Sequence, residues 1–66
     1  MTITVNGEAR DVGDGVTVAE LVAQFELTPE RVAVEVNERL VRRASYAQTR
    51  LAAGDRIEIV TLVGGG

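Results

Sequence analysis

Polar and apolar residues alternate from the start of the chain. Thr2-Ile3-Thr4-Val5 is the pattern of a strand with one face buried. Asn6-Gly7 follows, a dipeptide that tolerates positive φ at both positions and suits a type I′ hairpin turn. A second strand, from about Glu8 to Val12, is expected to run back antiparallel, but its poor alternation leaves the register open. Gly13-Asp14-Gly15 then breaks the pattern, and Thr17 with Glu20 forms the capping box of a helix start. Val16 and Leu21 are placed for the accompanying hydrophobic staple. Val18, Leu21, Val22 and Phe25 follow the spacing i, i+3, i+4, i+7, so one helix face is apolar. The helix is expected to end near Glu26, and Pro29 prevents a simple continuation.

Alternation returns at Val32-Ala33-Val34-Glu35-Val36, which places the three valines on one inward face. Asn37-Glu38 reads as a turn and Leu40-Val41 as a short strand. Residues 42–52 have no clean period and read as a loop with one short helical turn, pinned by Tyr46 and Leu51. Ala53-Gly54-Asp55 is a turn, and Arg56 to Leu62 is the last and most apolar strand. The order is that of an α+β domain: a mixed four- to five-stranded sheet with one α-helix packed across it. The first and last strands are expected to be central and parallel, with a right-handed crossover.

Strand and helix periods together predict a single core of Ile3, Val5, Leu21, Phe25, Val34, Ile57 and Ile59. If Ile57 and Ile59 face that core, Val60 and Leu62 fall on the outer side of the sheet. Two exposed apolar side chains close to the end of the chain make a candidate docking site for a partner. The alternative is that another element covers them.

Length and charge narrow the function classes. Sixty-six residues allow one domain, and a domain of that size buries only roughly 60% of the surface its unfolded chain exposes. With no cysteine and no histidine, disulfides and the usual zinc sites are excluded, and an apolar core must supply the stability. The net charge of −3 argues against a nucleic-acid partner and allows one with a basic surface. No apolar stretch approaches the ~20 residues of a membrane span, and the first residues do not read as a signal peptide. A cytoplasmic protein without membrane association is expected. All seven basic residues are arginine, so no side-chain amine is available for an isopeptide bond. No pair of carboxylates is placed for acid–base work, so the chain is not expected to be an enzyme.

The remaining feature is Gly64-Gly65-Gly66. Residues 1–63 read as the folded domain and 64–66 as a flexible tail. Terminal glycines fit a frayed end. They also fit a working tail, because a segment without Cβ threads a narrow channel and leaves a terminal carboxylate open to attack. Three extended residues reach roughly 10 Å. A carboxylate is a poor acyl donor and must first be activated, most simply as an acyl-adenylate. A sulfur nucleophile would then make a thiocarboxylate; a thiol followed by an amine would make a conjugate. The chain has no phosphate loop and no metal ligands of its own, so it would be the substrate of an adenylating partner.

The ending from Gly54-Asp55 through the apolar strand to Val63-Gly64-Gly65-Gly66 resembles that of ThiS, the sulfur-carrier family of the thiamine pathway. Val34-Glu35-Val36-Asn37-Glu38, Leu40-Val41, Arg43 with Tyr46, the Asn6-Gly7 turn and the Thr17–Leu21 helix start are similar as well. The resemblance covers essentially the whole chain. It implies a ubiquitin-like β-grasp fold and a working C-terminus at Gly66, with Gly65 and Gly64 as its approach. It also implies three kinds of partner. A ThiF-like adenylating enzyme would use ATP and magnesium, with no cofactor or metal bound by this chain. A sulfurtransferase or cysteine desulfurase would supply sulfur. A ThiG-like thiazole synthase would receive it and build the thiazole ring of thiamine.

Other readings share the tail. Carriers for molybdopterin, tRNA thiolation or cysteine synthesis use similar ends, and a ubiquitin-like modifier has the same fold. The molybdopterin carriers are usually longer, often with proline or phenylalanine before the final glycines. A non-catalytic β-grasp binding module is the reading from a different class, and it gives no reason for terminal glycines.

Overall fold

The computed structural model describes residues 1–63. The expected tail, Gly64, Gly65 and Gly66, lies outside the described residues. Five strands form one mixed sheet: β1 (Thr2–Val5), β2 (Glu8–Asp11), β3 (Val32–Val36), β4 (Arg39–Val41) and β5 (Arg56–Thr61). Their spatial order is β2-β1-β5-β3-β4. β5 is therefore central, parallel to β1 and antiparallel to β3, as the alternation and the connection between the first and last strands required. Among the described residues one α-helix, α1 (Val18–Gln24), contributes Val18, Leu21 and Val22 to the core.

Local chemistry sets the boundaries. Asn6 and Gly7 both adopt positive φ (52° and 83°). That two-residue turn pairs Val5 with Glu8 and Ile3 with Arg10, which settles the register of β2 despite its poor alternation. Thr17 accepts a hydrogen bond from the Glu20 N–H at 3.1 Å, and Glu20 accepts one from the Thr17 N–H at 2.8 Å. Both halves of the capping box are thus made. Replacing Thr17 with alanine is expected to cost about 1 kcal/mol in a urea denaturation measurement.

The helix stops without glycine. Phe25 caps it, Glu26 takes φ 59°, and the N–H groups of Glu26 and Leu27 donate back to Ala23 (2.9 Å) and Val22 (3.2 Å). This is the Schellman arrangement, built here on a glutamate.

Ile3, Val5, Leu21, Val34, Ile57 and Ile59 are all buried in one cluster, as expected, together with Val12, Val16, Val18, Val22, Val32, Tyr46 and Leu51. Phe25 departs from the expectation. It is only half-buried at the rim, because α1 ends at Gln24, and the Arg10 guanidinium lies 4.3 Å from its ring centroid. Val36, expected inward, is also half-buried, at the end of β3. The aperiodic stretch holds a 3₁₀ helix, Arg43–Gln48, longer than the single turn expected. Tyr46 and Leu51 do pin it, and burial pushes the Tyr46 phenol pKa up against the opposing pull of Arg43. The segment after it is held by Val18 N–H to Thr49 C=O (2.9 Å) and Leu51 N–H to Val16 C=O (2.8 Å). A second short 3₁₀ turn, Pro29–Arg31, leads into β3. No helix among the described residues is long and apolar enough to cross a membrane.

Candidate functional site

β5 leads from the core towards the end of the chain. Its alternation buries Ile57 and Ile59 and leaves Val60 outward, 57% exposed. The strand ends at Thr61, one residue short of the expected boundary. Leu62 nevertheless keeps the antiparallel contact with the segment before β3, its N–H donating to the Arg31 carbonyl at 2.8 Å. Leu62 is 49% exposed and Val63 is 96% exposed. The two residues singled out for docking are thus uncovered and close to the tail. Gly64, Gly65 and Gly66, the expected working positions, fall outside the described residues.

Cross-strand register adds members that sequence reasoning missed. Val60 faces Ala33 on β3, and Glu58 faces Glu35, which in turn faces Leu40 on β4. Leu40 is 68% exposed. The outward face therefore carries a row Leu40–Glu35–Glu58 beside a row Ala33–Val60, with Leu62 next along the chain. Two like charges directly opposite each other weaken a sheet, so the pair makes no contribution to the fold that would explain it. The available signal for Leu40 was weak, since Leu40-Val41 is an apolar pair. Only the β3–β4 register, with Val41 opposite Val34, shows which of the two points out.

The chemistry of the described residues is passive. They hold no group of three or more potential metal-ligating side chains. Every buried side-chain polar atom among them has a hydrogen-bond partner. What they offer is an exposed, partly apolar and partly acidic sheet face adjoining the root of a glycine tail.

A family model described as the ThiS family matches residues 3–66. The thiazole synthase of Paramagnetospirillum magneticum is 39% identical over 66 residues, covering 100% of this chain and 20% of that protein. The chain thus spans about a fifth of the length of the thiazole synthases it matches. The sulfur carrier protein ThiS of Escherichia coli is 32% identical over 66 residues, 100% of both chains. The crystal structure of the thiamine biosynthesis protein ThiS from Geobacter metallireducens superposes with a TM-score of 0.85 at 32% identity, again over 100% of both chains.

Proposed function

The chain belongs to the ThiS family, and from that premise we propose that it is a sulfur carrier of thiamine biosynthesis, a cytoplasmic protein cosubstrate acted on by others. The observation that carries this reading is the end-to-end match to the sulfur carrier of Escherichia coli. The reacting group is the carboxylate of Gly66, approached through Gly64 and Gly65.

An adenylating enzyme of the ThiF type binds ATP and magnesium. A Gly66 carboxylate oxygen attacks the α-phosphorus, the bond to the β-phosphate bridge breaks, and pyrophosphate leaves. Hydrosulfide then attacks the acyl carbon, the bond to AMP breaks, and a thiocarboxylate remains. If the donor is a persulfide on a sulfurtransferase or desulfurase, a thiol must also cleave the S–S bond. The thiocarboxylate passes sulfur to thiazole synthase. That partner is supported by relatives in which a stretch like this chain is part of a protein named thiazole synthase.

Intact-protein mass spectrometry tests the reading. Incubated with a ThiF-type enzyme, ATP-magnesium and sulfide, the chain should gain the mass difference between sulfur and oxygen. No gain would sink it.

Val60 and Leu62 serve as anchors on the adenylating enzyme. Leu62→Asp is expected to weaken that binding at least about tenfold, the scale for losing an interface anchor. Its far-UV spectrum and melting temperature should stay close to the wild type, because Leu62 lies outside the buried cluster. An unchanged Kd for the folded variant would remove Leu62 from the interface.

A further inference from the structure

The parallel pairing of β1 and β5 continues beyond the point where the main chain of β1 leaves. Thr4 N–H donates to the Asp55 carbonyl at 3.0 Å and Asn6 N–H to the Ile57 carbonyl at 2.8 Å. Continuing the ladder would need a backbone acceptor for the Ile59 N–H and a backbone donor for the Ile59 carbonyl. The chain instead turns at Asn6-Gly7 into β2, where Glu8 is paired with Val5. The Asn6 side chain supplies both missing groups: Oδ1 accepts from Ile59 N–H at 2.8 Å and Nδ2 donates to the Ile59 carbonyl at 3.1 Å. One carboxamide stands in for a peptide unit and lengthens the ladder by a step.

That step lies where it matters for the tail. On the β3 side, β5 is held as far as Leu62 by the Arg31 carbonyl. On the β1 side the Asn6 carboxamide is the last hold among the described hydrogen bonds. Without it, the strand beyond Ile57 would be held by β3 alone and could swing about that edge. From Leu62 to Gly66 is four residues, a reach of at most about 14 Å. A small change in exit direction therefore displaces the tip by several ångströms, and near-attack geometry tolerates far less.

We infer that Asn6 is a positioning residue: its carboxamide sets the direction in which β5 delivers the tail to a partner's active site. The inference rests on the Gly66 carboxylate reading.

The fold contains a matched control. Asn37 also sits at the first position of a positive-φ turn (53°, followed by Glu38 at 70°). Its Oδ1 accepts from Arg56 N–H at 2.9 Å and its Nδ2 donates to the Asp55 carboxylate at 3.0 Å. It also accepts from a main-chain N–H of β5, but at the end remote from the tail, and its second bond goes to a side chain just before the strand instead of to the strand's main chain.

The test compares the full chain with Asn6→Gly, Asn6→Asp and Asn37→Gly. Glycine keeps the left-handed turn and deletes only the carboxamide. Aspartate keeps the acceptor and sets a carboxylate against the Ile59 carbonyl. Two readouts are used: amide hydrogen exchange, and steady-state pyrophosphate release from ATP-magnesium by a ThiF-type enzyme with the chain as varied substrate. For Asn6→Gly, Ile59 amide exchange should rise about tenfold or more, kcat should fall about tenfold, and KM should stay within about twofold. Asn6→Asp should also lower kcat. Asn37→Gly should release the Arg56 amide and keep kcat within about twofold.

Four results would overturn the inference: a protected Ile59 amide in Asn6→Gly, wild-type kcat in either Asn6 variant, a loss confined to KM, or equal losses of kcat in Asn6→Gly and Asn37→Gly. Absence of chain-dependent pyrophosphate release with the wild type would instead overturn the carboxylate reading and the positioning role together.

Discussion

Deleting Gly66, or appending one residue after it, should abolish sulfur loading and leave thermal stability almost unchanged. The two expectations rest on different parts of the molecule. Every residue of the buried cluster lies at or before Ile59, and a glycine has no side chain to add to it. The last backbone hydrogen bond among the described residues is made by Leu62. Chemistry, in contrast, depends on one atom's position. Moving the reacting carboxylate by one residue shifts it by roughly 3.5 Å relative to the ATP phosphate. Catalysis by positioning loses about 100-fold for a displacement near 1 Å. Gly65→Val should fail as well, since a β-branched side chain stiffens the tail and crowds the carbonyl. The measurement is intact mass after reaction with a cognate adenylating enzyme, ATP and sulfide, alongside calorimetry of each variant. Equal sulfur gain by the truncated chain would show that the working end lies elsewhere.

The fold was largely legible because three independent signals agreed: period 2 in the strands, period 3.6 in the helix, and turn chemistry at Asn6-Gly7, Asn37-Glu38 and Gly54-Asp55. Each failure has an identifiable physical cause. Phe25 fits the helical stripe by spacing, yet it lies past the last helical residue, and spacing carries no information about where a helix stops. The stop near Glu26 was legible and is found there, but the last helical residue was not, because a Schellman turn usually advertises itself with glycine and here Glu26 takes the left-handed conformation. The 3₁₀ helix Arg43–Gln48 has too few residues to show a period. Its place is fixed by long-range contacts, Tyr46 in the core and the bridge between Thr17 and Arg50, that no local window contains.

The outward face was legible in part. Val60 could be placed because its strand neighbours Ile57 and Ile59 are unambiguous core residues. The outward position of Leu40 and the facing of Glu35 with Glu58 could not, since both depend on cross-strand register, and β3 and β5 are separated by β4 and the 3₁₀ segment with no turn joining them directly. The Asn6 grip on Ile59 was invisible for a related reason. In the sequence Asn6 is fully accounted for by its turn, and its second role appears only when β5, 53 residues on, is laid beside it.

Leu21→Ala should remove about 2–5 kcal/mol, a large share of the stability of the fold. Leu21 is wholly buried, 0% exposed, in the cluster that joins α1 to the sheet. Removing its branched end costs about 2–5 kcal/mol in transfer free energy and residual cavity. Alanine returns only a few tenths of a kcal/mol through its higher helix propensity. A core in a domain below about 70 residues rarely supplies more than about 3–5 kcal/mol of net stability, and with no cysteine there is no disulfide to hold the fold. The loss is therefore comparable with the whole. Leu40→Ala removes the same atoms from a site 68% exposed and should change stability by no more than about 0.5 kcal/mol. Urea denaturation of both variants checks the pair. A Leu21→Ala midpoint equal to that of Leu40→Ala would mean that α1 does not depend on the sheet for its stability.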